Sequence, residues 1–354
     1  MNAPFPLAAE TIGTADLNDP GEFARLESFV AGMGGTPFHR PIWLRAVEQG
    51  TGQQATGLVA EKAGRITGWL PLTVVHSPLF GRALVSSGFA VGGGVLAESE
   101  RTALALCRRA VELAARLSCP TIELRGGELP DSWAITTDSH SGFVTDLAAD
   151  DEAQLLAIPR KQRAEIRRGL KLELAVQTGC GEADRAAHYA VYAESVRNLG
   201  TPVFPRALFD AVLDAFGGDA DILTVRHDGA PVASVLSLYH GGAVMPYWGG
   251  GTLAARHLRA NEVMYYELMR HAQRRGCTRF DFGRSKTGSG PYHYKKNWGF
   301  EPQPLAYASW TAAGADARDI NPNSAAYSAK IALWKRLPLP VANRLGPLIA
   351  KGLG

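Results

Sequence analysis

Cysteine is scarce in this 354-residue chain. The four present, Cys107, Cys119, Cys180 and Cys277, are scattered, and none forms a CxxC pair or a zinc-ligand spacing. Neither a disulfide framework nor a structural metal is indicated, and reduced thiols are expected. Residues 1–19 have no charged leading region and no long apolar core, so they do not read as a signal peptide. No apolar run approaches the roughly 18 residues of a spanning helix. The expected location is therefore the cytoplasm or, at most, the periphery of an inner membrane. Strong charge of one sign is also lacking. A net charge of +3 and a pI of about 8.6 fall far short of a dedicated duplex-DNA binder. There is no G-x-S-x-G motif and no cysteine beside a histidine, so no covalent nucleophile is marked. What remains, 46% hydrophobic and 20% charged, is ordinary globular composition, long enough for two domains.

The most informative stretch runs from Phe280 to Phe300. It opens as an alternating strand, breaks at Gly283, and continues as a glycine-rich loop carrying Arg284 and Lys286. It ends in aromatics interleaved with Lys295 and Lys296. Flexible backbone, clustered cations and flat rings suit an anionic, partly apolar ligand. A plain surface loop is the competing account.

The landmarks of the first half recur in the second. A hairpin at Leu58–Gly64 has its counterpart at Leu223–Gly229, and Gly92–Gly94 at Gly249–Gly251. An amphipathic helix over 99–117 matches one near Asn261–Arg275, and a strand after Cys119 matches one after Cys277. Order and spacing predict two copies of one α/β domain of mixed sheet and packed helices, fused in tandem. The predicted division is an N-terminal arm (1–20), a first domain (21–150), a second domain (151–315) and a basic tail (316–354). Glycines after a strand let it splay and free backbone N–H groups, which makes Gly249, Gly250 and Gly251 candidate cofactor-binding positions. The arrangement resembles the acetyltransferase-like (GNAT) domain, whose splayed central strands hold a thioester's pantetheine arm.

Two basic segments stand out. Between the copies, Arg160, Lys161, Arg163, Arg167, Arg168 and Lys171 face one acid, Glu165. A solvated helix face is one reading. A phosphate-binding surface accounts better for the missing i,i+4 ion pairs. After Asp319 the chain has no acid, while Lys330, Lys335, Arg336, Arg344 and Lys351 alternate with leucines and Trp334. That tail reads as a helix packed on its domain or as a peripheral membrane contact, with Pro338 and Pro340 interrupting any single long helix.

Three local patterns resemble the FemAB family, tandem acetyltransferase-like proteins that attach amino acids from aminoacyl-tRNA to a cell-wall precursor peptide. They are Phe38 to Arg45 with Trp43, the basic helix Arg160 to Arg168, and Asp281 to Gly283 followed by Gly290 to Gly299. The stretches Ile158–Arg163, Tyr192–Pro205, Phe280–Lys286 and Leu333–Pro340 are similar to the FemAB-related subgroup associated with the PEP-CTERM/exosortase and exopolysaccharide system. The helical coiled-coil arm common among the peptidoglycan-bridge enzymes has no heptad counterpart here.

The resemblance implies an acyl or aminoacyl transfer to an amine, with acyl-CoA or aminoacyl-tRNA as co-substrate and no tightly bound cofactor or metal. It assigns Lys295 as the electrostatic stabiliser, with Asp281 a candidate base or orienter and Tyr292 a candidate proton donor. Trp43, Arg45, Tyr294 and Lys296 are the further candidates for substrate contact. If the segment is extended, Tyr292 and Tyr294 share the face of Lys296; if it is helical, the faces change. Arg284, Lys286, Arg160, Arg163 and Arg167 are candidate phosphate clamps. The expected partner is a phosphorylated small-molecule or glycan precursor, with tRNA as a further candidate and DNA excluded. The alternative is a non-catalytic tandem domain that binds a phosphorylated glycan or lipid-linked precursor.

Overall fold

The computed structural model describes residues 9–78, 81–316 and 325–352, and of 325–330 the backbone alone. In the first half the elements are β1 (Thr11–Thr14), α1 (Pro20–Gly32), α2 (Pro41–Thr51), β2 (Gln54–Lys62), β3 (Arg65–Ser77), β4 (Gly81–Ser86), β5 (Leu96–Ala97), α3 (Glu100–Arg116), β6 (Thr121–Arg125) and β7 (Ala134–Thr136). The second half continues with β8 (His140–Asp146), α4 (Asp151–Ala157), α5 (Arg160–Gly169), β9 (Leu174–Gly179), α6 (Glu182–Leu199), α7 (Arg206–Phe216), β10 (Ala220–His227), β11 (Ala230–His240) and β12 (Ala243–Gly251). It closes with α8 (Leu253–Leu258), α9 (Ala260–Arg274), β13 (Arg279–Lys286), α10 (Gly290–Asn297), β14 (Gln303–Pro304), β15 (Tyr307–Thr311), α11 (Ala325–Arg336) and α12 (Leu339–Ala350).

The chain forms two compact units, each with its own mixed sheet. The first sheet runs β1-β2-β3-β4-β6-β15-β7, and the second runs β9-β10-β11-β12-β13-β8-β14 from the matching edge. The repeat predicted from sequence is therefore a repeat of topology. Both hairpins turn through two residues of positive φ, Ala63 and Gly64 in one and Asp228 and Gly229 in the other. Such type I′ turns match the right-handed twist of the strands they join. Both central pairs are parallel and short: Leu84 and Val85 beside Ile122 and Glu123, and Ala243 and Val244 beside Arg279 and Phe280. Helix α3 starts at a Ser99 cap that accepts from Thr102 N, and it buries Leu106, Cys107, Ala110 and Leu113 against its sheet.

The order of strands corrects the predicted boundaries. Residues 137–150 were assigned to the first domain, yet β8 pairs with β13 and belongs to the second unit. Conversely, β15 was assigned to the second domain, but it pairs with β6 and β7 in the first sheet. The predicted arm also contains β1, which pairs with β2 over Thr11 to Thr14. Residues 1–8 lie outside those described. The tail forms α11 and α12, separated at Pro338, and both helices belong to the second unit. Among the described residues, no helix is long and apolar enough to cross a membrane.

The glycine triplets are not equivalent. Gly249 to Gly251 end a paired strand, whereas Gly92 to Gly94 lie in an irregular segment after β4. There the backbone fills the gap where β4 and β6 part. Arg125 N donates to Ser86 Oγ at 2.9 Å, and Arg125 Nη1 donates to the Ala90 carbonyl at 2.6 Å. A Cβ on Gly94 would lie 1.9 Å from the Gly126 carbonyl oxygen, and one on Gly127 would lie 2.4 Å from that of Val95. Gly94→Ala is therefore expected to destabilise the protein by about 1–3 kcal/mol, as for other overpacked sites. Urea denaturation checks this; an unchanged midpoint would mean the packing is looser than described.

Candidate active site

Strands β12 and β13 pair through only two residues each and then separate. Each carries an irregularity just beyond the paired residues. On β12 the register with β11 shifts at Tyr247, next to Pro246, which has no N–H to donate. On β13 the register with β8 shifts across Phe282 and Gly283, with Gly283 at φ +68°. Beyond Val244 no residue of β13 pairs with β12, and a cleft of about 360 Å³ opens between them.

Gly249, Gly250 and Gly251 form one wall. Side chains would not fit there. A Cβ on Gly250 would come 2.3 Å from Ser195 Oγ, and one on Gly251 would come 2.6 Å from both Asn261 Oδ1 and Ala255 Cβ. Phe282 of β13, Tyr294 and Lys295 of α10, Tyr265 of α9, and Ser195, Asn198 and Leu199 of α6 also line the cleft, with Leu199 59% exposed at the rim. Polar groups here lack partners: Asn261 Oδ1 and Thr252 Oγ1 are buried without a hydrogen bond, while the Tyr294 hydroxyl is turned to the Trp298 indole. Such orphans are costly unless a ligand or water meets them.

Lys295 is the dominant electrostatic feature. It lies on α10, whose start is capped by Ser289 and held by Pro291 in the first turn. The side chain is 8% exposed, and Nζ donates to the Arg284 carbonyl at 2.9 Å. Nζ also stands 5.3 Å from the Phe282 ring centroid and 5.4 Å from that of Phe143. Burial lowers its pKa to about 7, with the neighbouring Arg284 adding to the effect and the Asp281 carboxylate opposing it. Lys295 is thus poised between its two protonation states near neutral pH.

The other predicted residues divide by position. Asp281 is held by the bulge: Oδ1 accepts from Gly283 N at 2.8 Å, and burial raises its pKa against the pull of that bond and of Lys295. It orients the strand end and does not line the cleft. Because α10 is helical, Tyr294 joins Lys295 in the cleft wall while Tyr292 and Lys296 do not line it. Tyr292 packs edge-on against Phe143 at 5.5 Å, and Lys296 Nζ stands 5.9 Å over the Tyr292 ring. The proton-donor assignment for Tyr292 thus finds no support in its position. Arg284 and Lys286 are half-buried on β13.

The cations of α5 do not line the cleft either. Arg160 and Arg167 are exposed, Arg163 donates to the Leu156 carbonyl at 3.0 Å, and Glu165 pairs with both Arg168 and Arg259. In the first unit Trp43 is fully buried; its indole donates to the Gly88 carbonyl at 3.1 Å, and its ring meets Phe38. That corrects its assignment to substrate: it is a core residue with no free surface. Arg45 is exposed over the Phe23 ring in the same unit.

Sequence reasoning missed Ser195, Asn261 and Tyr265. Asn261 and Tyr265 are four apart on α9, so they share a face, and that spacing after a glycine triplet was a usable signal. Ser195 lies inside the Tyr192–Pro205 stretch, but nothing local marks it among its neighbours there. Glu262 was also missed: burial raises its pKa, and for Tyr265 and Tyr294 burial first, then the Glu262 charge, disfavours ionisation.

Comparison with known proteins fits this geometry. Residues 160–296 match the family model described as an acetyltransferase (GNAT) domain. No curated protein matches the sequence. Among solved structures, the chain is similar to FemX at 15% identity and a TM-score of 0.64, over 84% of this chain and 96% of that one. It is similar to a tandem GNAT protein from the clavulanic acid biosynthesis pathway at 13% identity and a TM-score of 0.58, over 87% of this chain and all of the other. A third is the C-terminal domain of a putative lysylphosphatidylglycerol synthetase from Agrobacterium fabrum, at 12% identity and a TM-score of 0.56, over 82% and 92%. The fold is two GNAT-like units in tandem.

Burying an amine that titrates near 7 costs stability. The unfolded chain keeps the ordinary lysine pKa, so between pH 7 and 10.5 it binds the extra proton and raising the pH favours the fold. The cost is fully present below about pH 7. Lys295→Met is expected to stabilise the protein by a few kcal/mol (about 1.4 per pKa unit) at pH 6, with the gain fading towards pH 10. Urea titrations of both proteins across that range test it, and a gain that is flat with pH would contradict it.

Proposed function

We propose that the second unit is an N-acyltransferase that passes an acyl or aminoacyl group from a phosphate-bearing donor directly to an amine. The observation that carries this reading is a buried lysine of near-neutral pKa at the wall of a cleft between parted parallel strands. The donor's arm lies along Gly249 to Gly251, where Asn261 and Thr252 offer their unpartnered oxygens to its amide groups. Either an acyl-CoA thioester or an aminoacyl-tRNA ester meets these requirements, and no covalent enzyme intermediate is needed.

The acceptor amine attacks the donor carbonyl, giving a tetrahedral oxyanion. Protonated Lys295 stabilises that charge in a dry site where a cation acts strongly. The carbon–sulfur or carbon–oxygen bond then breaks, the thiol or hydroxyl leaves with the proton that the attacking nitrogen gives up, and the amide remains. Asp281 fixes the bulge that holds Arg284, and so the carbonyl that steadies Lys295. Arg284 and Lys286, at the end of β13, receive the phosphates of the donor or acceptor. The FemAB likeness supports an aminoacyl or acyl transfer in envelope assembly. The signature stretches support the exopolysaccharide and PEP-CTERM-associated subgroup, with a phosphorylated glycan precursor as acceptor.

The test offers CoA thioesters and aminoacyl-tRNAs in turn and follows amide product by mass spectrometry. Lys295→Ala is expected to lower kcat by about 10²–10³-fold with little change in KM, the size typical of a lost oxyanion donor. Wild-type kcat is expected to fall as the pH rises through about 7, where Lys295 loses its proton. Lys295→Arg should move that limb out of range. No product from any donor, together with precursor binding that Lys295→Ala leaves unchanged, would favour a non-catalytic binding protein instead.

A further inference from the structure

Helix α12 turns small residues inward and carries large apolar residues on its outer side. Ala342, Gly346 and Ala350 are buried, and a Cβ on Gly346 would lie 3.0 Å from Val203 N. The opposite stripe holds Val341, Leu345 and Leu348, which are 42%, 42% and 67% exposed. Arg344 is exposed on that stripe. On α11, Leu333 is 66% exposed beside exposed Lys335 and Arg336. A surface helix ordinarily turns its large apolar side chains to the core. Four large apolar side chains exposed on two consecutive short helices call for something to cover them.

Charge says what that is. From residue 320 onward the sequence has no Asp or Glu, and it carries Lys330, Lys335, Arg336, Arg344 and Lys351. Exposed leucines on a segment whose charged residues are all cations fit the boundary of an anionic bilayer, with apolar side chains at the acyl region and cations at the headgroup phosphates. A second copy of the same face would set like charges against each other. The position adds a reason. α11 packs on Gly200 through Ile331 and Lys335, and Arg197 Nη1 donates to the Lys335 carbonyl at 3.2 Å. Residues 197 and 200 bracket Asn198 and Leu199, which line the cleft, and Leu199 is itself 59% exposed.

We infer that α11 and α12 seat the protein on an anionic membrane surface and bring the rim of the cleft to it. This goes beyond the proposed acyl transfer and does not depend on it. The full-length protein is floated with vesicles of phosphatidylcholine alone or with phosphatidylglycerol added. Binding to the anionic vesicles only, weakened by salt, is expected. Arg336→Ser and Arg344→Ser should each weaken binding about fivefold, and the pair Leu345→Glu with Leu348→Glu should abolish it. These side chains are exposed, so the melting curves should be unchanged, which keeps loss of binding distinct from misfolding. Absence of flotation would overturn the inference. So would equal binding by the leucine variants, or self-association that those variants abolish without any vesicle binding.

Discussion

Everything at the candidate site depends on two parallel strands that begin paired and then part. A sheet that stayed zipped would spend the backbone groups of Gly249 to Gly251 on β13 and leave no room for a ligand. The separation is written into both strands, through Pro246 and the shift at Tyr247 on one side and Gly283 on the other. The same bulge at Gly283 is pinned by Asp281 and sets the carbonyl that holds Lys295. One local distortion thus produces the cavity and positions the charge within it.

The two units show how one topology can be open or closed. Both have a two-residue parallel pair at the centre of a mixed sheet. In the first, the segment after β4 folds back against Arg125 to Gly127, backbone against backbone, with no space for a side chain at Gly94. In the second, the glycines stay on the strand and the gap is left to polar groups without partners. The chain therefore carries two similar frames, and the second has the features of a site.

The repeat was legible because turn chemistry and amphipathic spacing are local. Ala63-Gly64 and Asp228-Gly229 announce their hairpins, and the apolar stripe of α3 announces its buried face. Two features that line the cleft were marked in the sequence, Lys295 through the resemblance and the glycine triplet at Gly249 through its place after a strand. Trp43 was misread because a motif tryptophan looks the same whether its ring is buried or free. The place of Tyr292 was open in the sequence because helix or strand decides which neighbour shares its face, and Pro291 in the first turn is the local signal for the helix. Strand partners were the least legible: β8 and β15 pair far from their chain neighbours, and no local pattern in Thr145 or Ser309 announces it.

That exchange of strands reaches back to how the molecule is made. The first sheet receives β15 between β6 and β7, so it stays incomplete until Thr311 has left the ribosome. A nascent chain that ends before β15 holds an open strand edge along β6, and β7 has no partner to rest on. The N-terminal half is thus not an early, independent folding product, and a gene cut at the apparent midpoint would yield two fragments, each missing a strand that the other carries.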